Sequence, residues 1–343
     1  MPNHPYQLDP FFKMFLEKLN VRGMPLIVAC SGGGDSVALA YLACKYHQGN
    51  LFLAYVQHQL RGDESQADEG FLKQFVNELS SRHQRSIGLH ILDGRLTELK
   101  GRGIEAAARA VRRKELAGLA ERIGSGTVLM GHNLNDQVET FLMRLVRGAG
   151  PMALGGIKPR AVLSEGVFVH RPLLQFDREF LRKYLVSERL AWREDSSNQS
   201  CRFTRNFIRL KLIEPLVMQF GKRVLQRVSN HAKWTTRQAE TQLEEINLTL
   251  SRLELPKAGP KVVLSKALVE KMAVRKLSDI FHFIWKRENW PSKDLTRAHL
   301  LGMARFILRN NPMGELPGRI QIRMDAHVVC MGPEFPPMLP KIT

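Results

Sequence analysis

Apolar and polar positions fall into blocks along the first half of the chain, and the period of the blocks changes in a regular order. Residues 11–20 carry apolar positions at helical spacing, which predicts a short amphipathic helix. Residues 24–30 form an apolar run that predicts a buried strand, followed by a glycine turn and an alanine- and leucine-rich helix over 36–47. The same reading gives strands at 51–56, 87–92 and 127–130, separated by helices at 65–80 and 103–123. Alternation of this kind predicts an α/β fold with a doubly wound, mostly parallel sheet. A helix over 138–147 stops at Arg147-Gly148-Ala149-Gly150-Pro151, and a Gly/Pro-rich loop runs to about residue 160. Residues 167–174 add a strand and a turn, and Asp177 caps a helix over 178–189.

Past residue 200 the pattern becomes helical, with a helix over 231–255 and a linker at Pro256-Lys257-Ala258-Gly259-Pro260. Helices are expected at 265–288 and 293–310, then a hairpin pairing 319–324 with 327–330, with Trp285, Trp290 and Phe306 in a core. The expected division is a catalytic α/β domain over 1–205, a basic helical linker domain over 206–256 and a small α+β C-terminal domain over 261–343.

Charge sharpens this picture. The chain has 343 residues with 51 Lys and Arg against 33 Asp and Glu, a formal charge of +18, which points to a polyanionic partner. Between 202 and 227 seven basic residues, Arg202, Arg205 and Arg209 among them, face one acidic residue, Glu214, so this stretch is expected to face nucleic acid. Cys30, Cys44, Cys201 and Cys330 lie far apart with no Cys-x-x-Cys, which argues against a zinc ribbon, an iron–sulfur cradle or a disulfide framework and fits a reducing compartment. The first twenty residues lack a signal core, and no run reaches the ~18 apolar residues of a membrane span. A cytoplasmic protein is expected.

Two stretches carry candidate chemistry. In Ser31-Gly32-Gly33-Gly34-Asp35-Ser36, between a strand and a helix, the glycines let the backbone turn tightly and approach a ligand, while Ser31, Ser36 and the first helical amides offer donors to phosphate. Asp35 beside such a cradle calls for a cation. The stretch is neither a Lys-containing P-loop nor Gly-x-Gly-x-x-Gly. The second, Gly131-His132-Asn133-Leu134-Asn135-Asp136-Gln137-Val138-Glu139, spaces His132, Asp136 and Glu139 so that all three crowd one helical turn at the same sheet edge. Together with Asp35 they suit a Mg2+-assisted site, although acidic residues in a first turn also serve as dipole partners. His58 and Arg61, after the second strand, are placed at the ligand-binding edge, and Arg109 and Arg112 share a helix face.

The Ser-Gly-Gly-x-Asp-Ser core at 31–36 resembles the PP-loop (N-type) ATP pyrophosphatases. With His58-x-Leu60-Arg61, Glu105-Ala-Ala-Ala-Arg109-x-x-Arg112, Gly131-His132-x-x-x-Asp136-Gln137-x-Glu139-Thr140, Arg147-Gly148-x-Gly150, Arg171-Pro172-Leu173-Leu174, Asp195-Ser196-x-Asn198 and Arg205-Asn206-x-x-Arg209, the order of motifs over roughly 24–215 resembles the tRNA(Ile)-lysidine synthetase family. That resemblance implies adenylation by ATP of the wobble cytidine in an isoleucine tRNA with a CAU anticodon, then replacement of AMP by free lysine. It implies that Ser31, Gly32, Gly33, Gly34, Asp35 and Ser36 bind ATP, with Asp35 positioning Mg2+. Arg112 and Arg205 would neutralise the phosphates; His132 and Asp136 would orient the base or take lysine's proton; Asp136 and Glu139 would meet the lysine ammonium; Arg147, Arg202 and Arg209 would contact tRNA. Gln57 stands where the family often has an acid, and Arg113 where it often has an aromatic residue. The competing readings are a PP-loop tRNA thiolase, whose usual cysteine pairs are missing here, a small-molecule amidating enzyme, and a non-catalytic tRNA-binding protein.

Overall fold

Short apolar runs without a polar face must be covered on both sides, and the order of burial along β1 shows how the chain does so. The computed structural model describes residues 7–57, 63–95, 104–150, 154–194, 204–256, 261–309 and 316–333, leaving out the side chains of 63–65, 104 and 105. His58, Arg61, Arg202 and the 195–198 motif lie outside the described residues. In β1 (Leu26–Ala29), Leu26 and Val28 enter one core and Ile27 enters another, the two-residue period of a strand buried on both faces. The first core is filled by α1 (Leu8–Leu19), α2 (Gly34–Tyr46) and α3 (Asp63–His83); the second by Leu116, Leu119 and Ala120 of α4 (Ile104–Ile123).

The sheet runs β3-β2-β1-β4-β6-β5, with β2 (Leu51–Gln57), β3 (Ile87–Asp93), β4 (Thr127–Met130), β5 (Arg160–Ser164) and β6 (Val167–His170). All neighbours pair in parallel except β5, which pairs antiparallel with β6. The doubly wound, mostly parallel α/β sheet expected from the sequence is therefore present. Strand β5 was not foreseen. Its five residues are half-exposed at a sheet edge, with none of the apolar continuity that announces a buried strand. Pairing with β6 and a turn through Gly166 at φ +70° fix it instead.

Strand order reverses between β1 and β4: β2 and β3 follow on one side, β6 on the other. In an open α/β sheet such a switch point opens a crevice at the carboxyl ends of the strands. The glycine loop leaves β1 there and residues 131–133 leave β4 beside it.

Helix α5 (Leu134–Val146) begins four residues earlier than its apolar period suggests, because Asn133 caps it. The Asn133 side chain accepts from the Asp136 amide at 3.0 Å, and Asp136 Oδ2 accepts from the Asn133 amide at 2.9 Å, a reciprocal capping box. Helix α6 (Arg178–Ser187) starts from an Asp177 cap on the Phe180 amide. Helical segments follow at Thr204–Ile208, Arg209–Ile213, Glu214–Phe220 and Arg223–Leu253.

The chain divides into two compact units, residues 1–236 and 237–343. The second holds an antiparallel sheet in the order β7-β9-β8, made of β7 (Val262–Ser265), β8 (Ile320–Met324) and β9 (Val328–Pro333). The β8–β9 pairing is the expected hairpin. The single helix expected at 265–288 is replaced by β7, a short turn of helix at Lys266–Val269 and a helix at Val274–Arg287. Val262 and Leu264 alternate with half-buried neighbours and pair with β9, so period two prevails. Trp285 is fully buried, donating its indole N–H to the Pro291 carbonyl at 2.8 Å, and Trp290 and Phe306 pack in the same core.

Candidate active site

The glycine loop turns at Gly32, whose φ of +83° suits glycine and few other residues. Gly33 then caps α2 with no side chain accepting its first amides among the described residues, leaving a helix end suited to an anion facing the crevice. The Ser36 hydroxyl donates to the Gly33 carbonyl at 2.8 Å and accepts from the Ser31 amide at 3.2 Å, so it closes the loop from inside. Ser31 itself is exposed to the crevice. The Arg193 amide donates to the Gly32 carbonyl at 2.9 Å, and the Arg193 guanidinium holds Asp68, so a distant loop props the cradle.

A crevice of about 460 Å3 opens over this cradle, lined among others by Ser31, Asp35, Arg112, His132, Arg178 and Arg205. Gly131 is what lets its two halves meet: a Cβ there would lie 2.9 Å from the Asp35 carbonyl oxygen and 3.1 Å from the Ser36 Cα. Gly131→Ala is therefore expected to push the 131–133 turn off the glycine loop at a cost of about 1–3 kcal/mol. Thermal melting reads the destabilisation, and weaker nucleotide binding reads the displaced loop.

Three carboxylates and three guanidiniums share the floor. Asp35 Oδ2 accepts from the Asn133 side-chain amide at 2.8 Å, while Oδ1 makes no hydrogen bond among the described residues. Asp136 Oδ1 accepts from Arg205 at 2.9 Å. Glu139 is fully buried and takes Arg205 on one oxygen at 2.5 Å and Arg209 on the other at 2.9 Å. Arg178 stands 3.8 Å from Asp35, 3.7 Å from Asp136 and 3.7 Å from Glu139. Burial pushes the Asp35 carboxyl up to about 6; Arg178 opposes that rise and the like charge of Asp136 reinforces it.

His132 sits just before the α5 cap. Burial, then the guanidiniums of Arg171, Arg205, Arg109 and Arg112, push its pKa down to about 3, so its ring is neutral at physiological pH. Its Nδ1 is buried without a hydrogen bond among the described residues. Burial, then Arg109 and Arg205, also lower the Arg112 pKa.

The structure thus brings together Ser31, the three glycines, Asp35, Ser36, Arg112, His132, Asp136 and Arg205 around one crevice, with Glu139 directly beneath. Arg209 lines the same crevice with its guanidinium on Glu139, while Arg147 is exposed at the end of α5 and is not among the lining residues. Sequence reasoning missed Asn133, Arg178 and Arg193. For Arg178 a signal existed: it follows the Asp177 cap directly, and a cation in a helix's first turn opposes the helix dipole unless carboxylates face it.

The donors fit an anionic nucleotide. An uncapped helix end, a turn at positive φ and crevice-lining arginines lie beside a carboxylate with one unbonded oxygen. Among the described residues no group of three His, Cys, Asp or Glu is placed to hold a metal ion. That donor set suits a Mg2+ ion carried by nucleotide phosphates and held by one carboxylate.

Fold and crevice define a PP-loop domain, and the model of that family matches residues 7–216. The chain belongs to the tRNA(Ile)-lysidine synthase family. It is 33% identical to the tRNA(Ile)-lysidine synthase of Chlorobaculum tepidum over 275 residues, covering 77% of each chain. It is 37% identical to that of Symbiobacterium thermophilum, covering 61% of this chain and 43% of the relative, and 36% identical to that of Thermus thermophilus, covering 74% and 48%. The chain thus spans about half the length of these last two curated relatives. Among solved structures, the U34-tRNA thiolase NcsA from Methanococcus maripaludis shares the fold, with a TM-score of 0.54 and 17% identity over 68% of this chain and 77% of that one.

Proposed function

We propose that the chain is an ATP-dependent ligase that converts the wobble cytidine of an isoleucine tRNA with a CAU anticodon to lysidine. The observation that carries this reading is the crevice itself: in a chain of this family, the phosphate cradle faces His132, Asp136 and the arginines across one gap. The cytosine C2 oxygen attacks the α-phosphate of ATP, breaking the bond to pyrophosphate and forming an adenylated base. A lysine amine then attacks C2, AMP leaves with the C2 oxygen, and the amine gives up one proton.

The Gly32–Gly34 turn and the first amides of α2 bind the nucleotide phosphates, and Arg112 offers planar guanidinium donors to the charge that develops on them. Asp35, with one oxygen free of hydrogen bonds among the described residues, would hold Mg2+, which would supply charge neutralisation to the phosphates. His132, neutral in a cationic pocket, orients the base through one ring nitrogen rather than by carrying charge; anionic phosphates beside its arginine neighbours raise its basicity toward a proton-accepting role. Asp136 faces the crevice for the lysine ammonium, with Glu139 behind it setting the position of Arg205. Arg147 and Arg202, the basic helical stretch over 206–256 and the region over 261–343 contact tRNA, and the enzyme works in the cytoplasm. No described helix is long and apolar enough to cross a membrane.

The test is incubation of the protein with ATP, Mg2+, a CAU-anticodon isoleucine tRNA and isotopically labelled lysine. Label in the anticodon loop with one AMP released per lysine is expected. Sulfur incorporation from a sulfur donor, or no lysine transfer to a competent tRNA, overturns the reading in favour of a thiolase or a binding protein.

A further inference from the structure

Arg178 is held in the crevice differently from Arg205 and Arg209. Arg205 and Arg209 hydrogen-bond Glu139 and Asp136 at 2.5–2.9 Å, and those bonds fix them. The Arg178 guanidinium faces the same carboxylates, yet its three approaches of 3.7–3.8 Å are all too long for hydrogen bonds. Among the described residues its side-chain N–H groups donate to no acceptor, although the side chain is only 20% exposed and lines the crevice. Its backbone, in contrast, is pinned. The Arg178 amide donates to the Asn135 side chain at 3.0 Å, and the Leu134 amide to the Phe176 carbonyl at 2.9 Å, so the starts of α5 and α6 are stitched together. A guanidinium on a fixed stem, held by charge alone and with its donors unused, is placed to accept a new anion without breaking a hydrogen bond.

Resting on the ATP reading above, we propose that Arg178 is a phosphate-contacting residue of the nucleotide site, kept in place by Asp35, Asp136 and Glu139 until a phosphate takes it over. The charges permit the exchange. Arg178, Arg205 and Arg209 face Asp35, Asp136 and Glu139, and Arg112, Arg182 and Arg193 line the same crevice, so the site stays cationic enough to receive a phosphate. A cation carried by the nucleotide would be held by Asp35 and would supply there the neutralisation that Arg178 now provides. The guanidinium then turns its planar donors to a phosphate oxygen, a geometry that a lysine ammonium cannot reproduce.

The experiment measures binding of α,β-methylene ATP with Mg2+ by calorimetry to wild type, Arg178→Met and Arg178→Lys, with a thermal melt of each. Arg178→Met is expected to weaken the analogue at least about tenfold while the melting temperature stays near that of wild type. Arg178→Lys, which keeps the charge facing the carboxylates and so guards against misfolding, is expected to bind about three- to tenfold more weakly than wild type. Wild-type affinity in Arg178→Lys, or a loss in Arg178→Met that only parallels unfolding, overturns the assignment. Neither arm uses tRNA or lysine. If wild type binds the analogue but transfers no lysine, the ligase reading falls and Arg178 stands; if wild type binds no nucleotide, both fall.

Discussion

Asp35→Asn is expected to lower ATP-dependent adenylation by about 10^2–10^3-fold while leaving the protein as stable as wild type or more so at pH 8. The two effects have one cause. Folding buries this carboxylate and raises its pKa from 3.8 to about 6, so its charged form is disfavoured in the native state. The native state then binds more protons than the unfolded chain between those two values, and stability falls as pH rises through that window. Above it the cost is on the order of 3 kcal/mol, which the neutral amide removes. On the proposed reading catalysis moves the other way, because it is the carboxylate that would hold the cation, so metal-dependent ATP binding in wild type is expected to grow as pH rises toward and through 6. Release of pyrophosphate, nucleotide binding from pH 5 to 8 and thermal melting together check the result. Full adenylation by the asparagine variant would remove Asp35 from the chemistry.

The second large effect is expected at Glu139. Its carboxylate is fully buried and is shared by Arg205 and Arg209, whose side chains are 30% and 18% exposed. Glu139→Ala leaves two partly buried guanidiniums without their partner, and a loss near the lower end of the ~3–5 kcal/mol typical of a broken buried pair follows. In a unit of this size each kcal/mol is worth roughly 2–4 °C, so the first melting transition is expected to fall by about 6–12 °C. Glu139→Gln, which preserves shape and one acceptor oxygen, is expected to lose less. If melting stays unchanged while the KM for lysine alone rises, Glu139 contacts the substrate directly instead of supporting the arginines.

Much of this site is legible in the sequence. Glycines in a row after an apolar run, with a carboxylate beside them, announce a phosphate cradle through local backbone chemistry alone. Asp136 and Glu139 follow from helical spacing, whereas His132, expected on the same helical turn, precedes the Asn133 cap and reaches the crevice from the turn after β4. Residues that work through partners distant in the chain were not legible. Asn133 is an ordinary helix cap until the fold sets its amide against Asp35, 98 positions away. Arg193 props the Gly32 turn from the segment after α6, and nothing local to residue 193 indicates it. Arg209 reads as one of a run of basic residues facing a polyanion, yet its guanidinium is drawn to Glu139 because a buried carboxylate needs its charge met. Edge strand β5 escaped for a related reason: its identity lies in its pairing, not in its composition.

By itself the sequence determined the alternation of buried strands and helices, the glycine turn at 31–36 and the basic character of the chain, since each is encoded in neighbouring residues or in overall composition. Only the tertiary structure decided which charges meet. The reversal of strand order between β1 and β4 opens the crevice, Gly131 lets its halves approach, and the crossing of α5, α6 and the 204–213 helical turns sets three arginines against three carboxylates. Ion pairing depends on distance and burial, and a linear pattern carries neither.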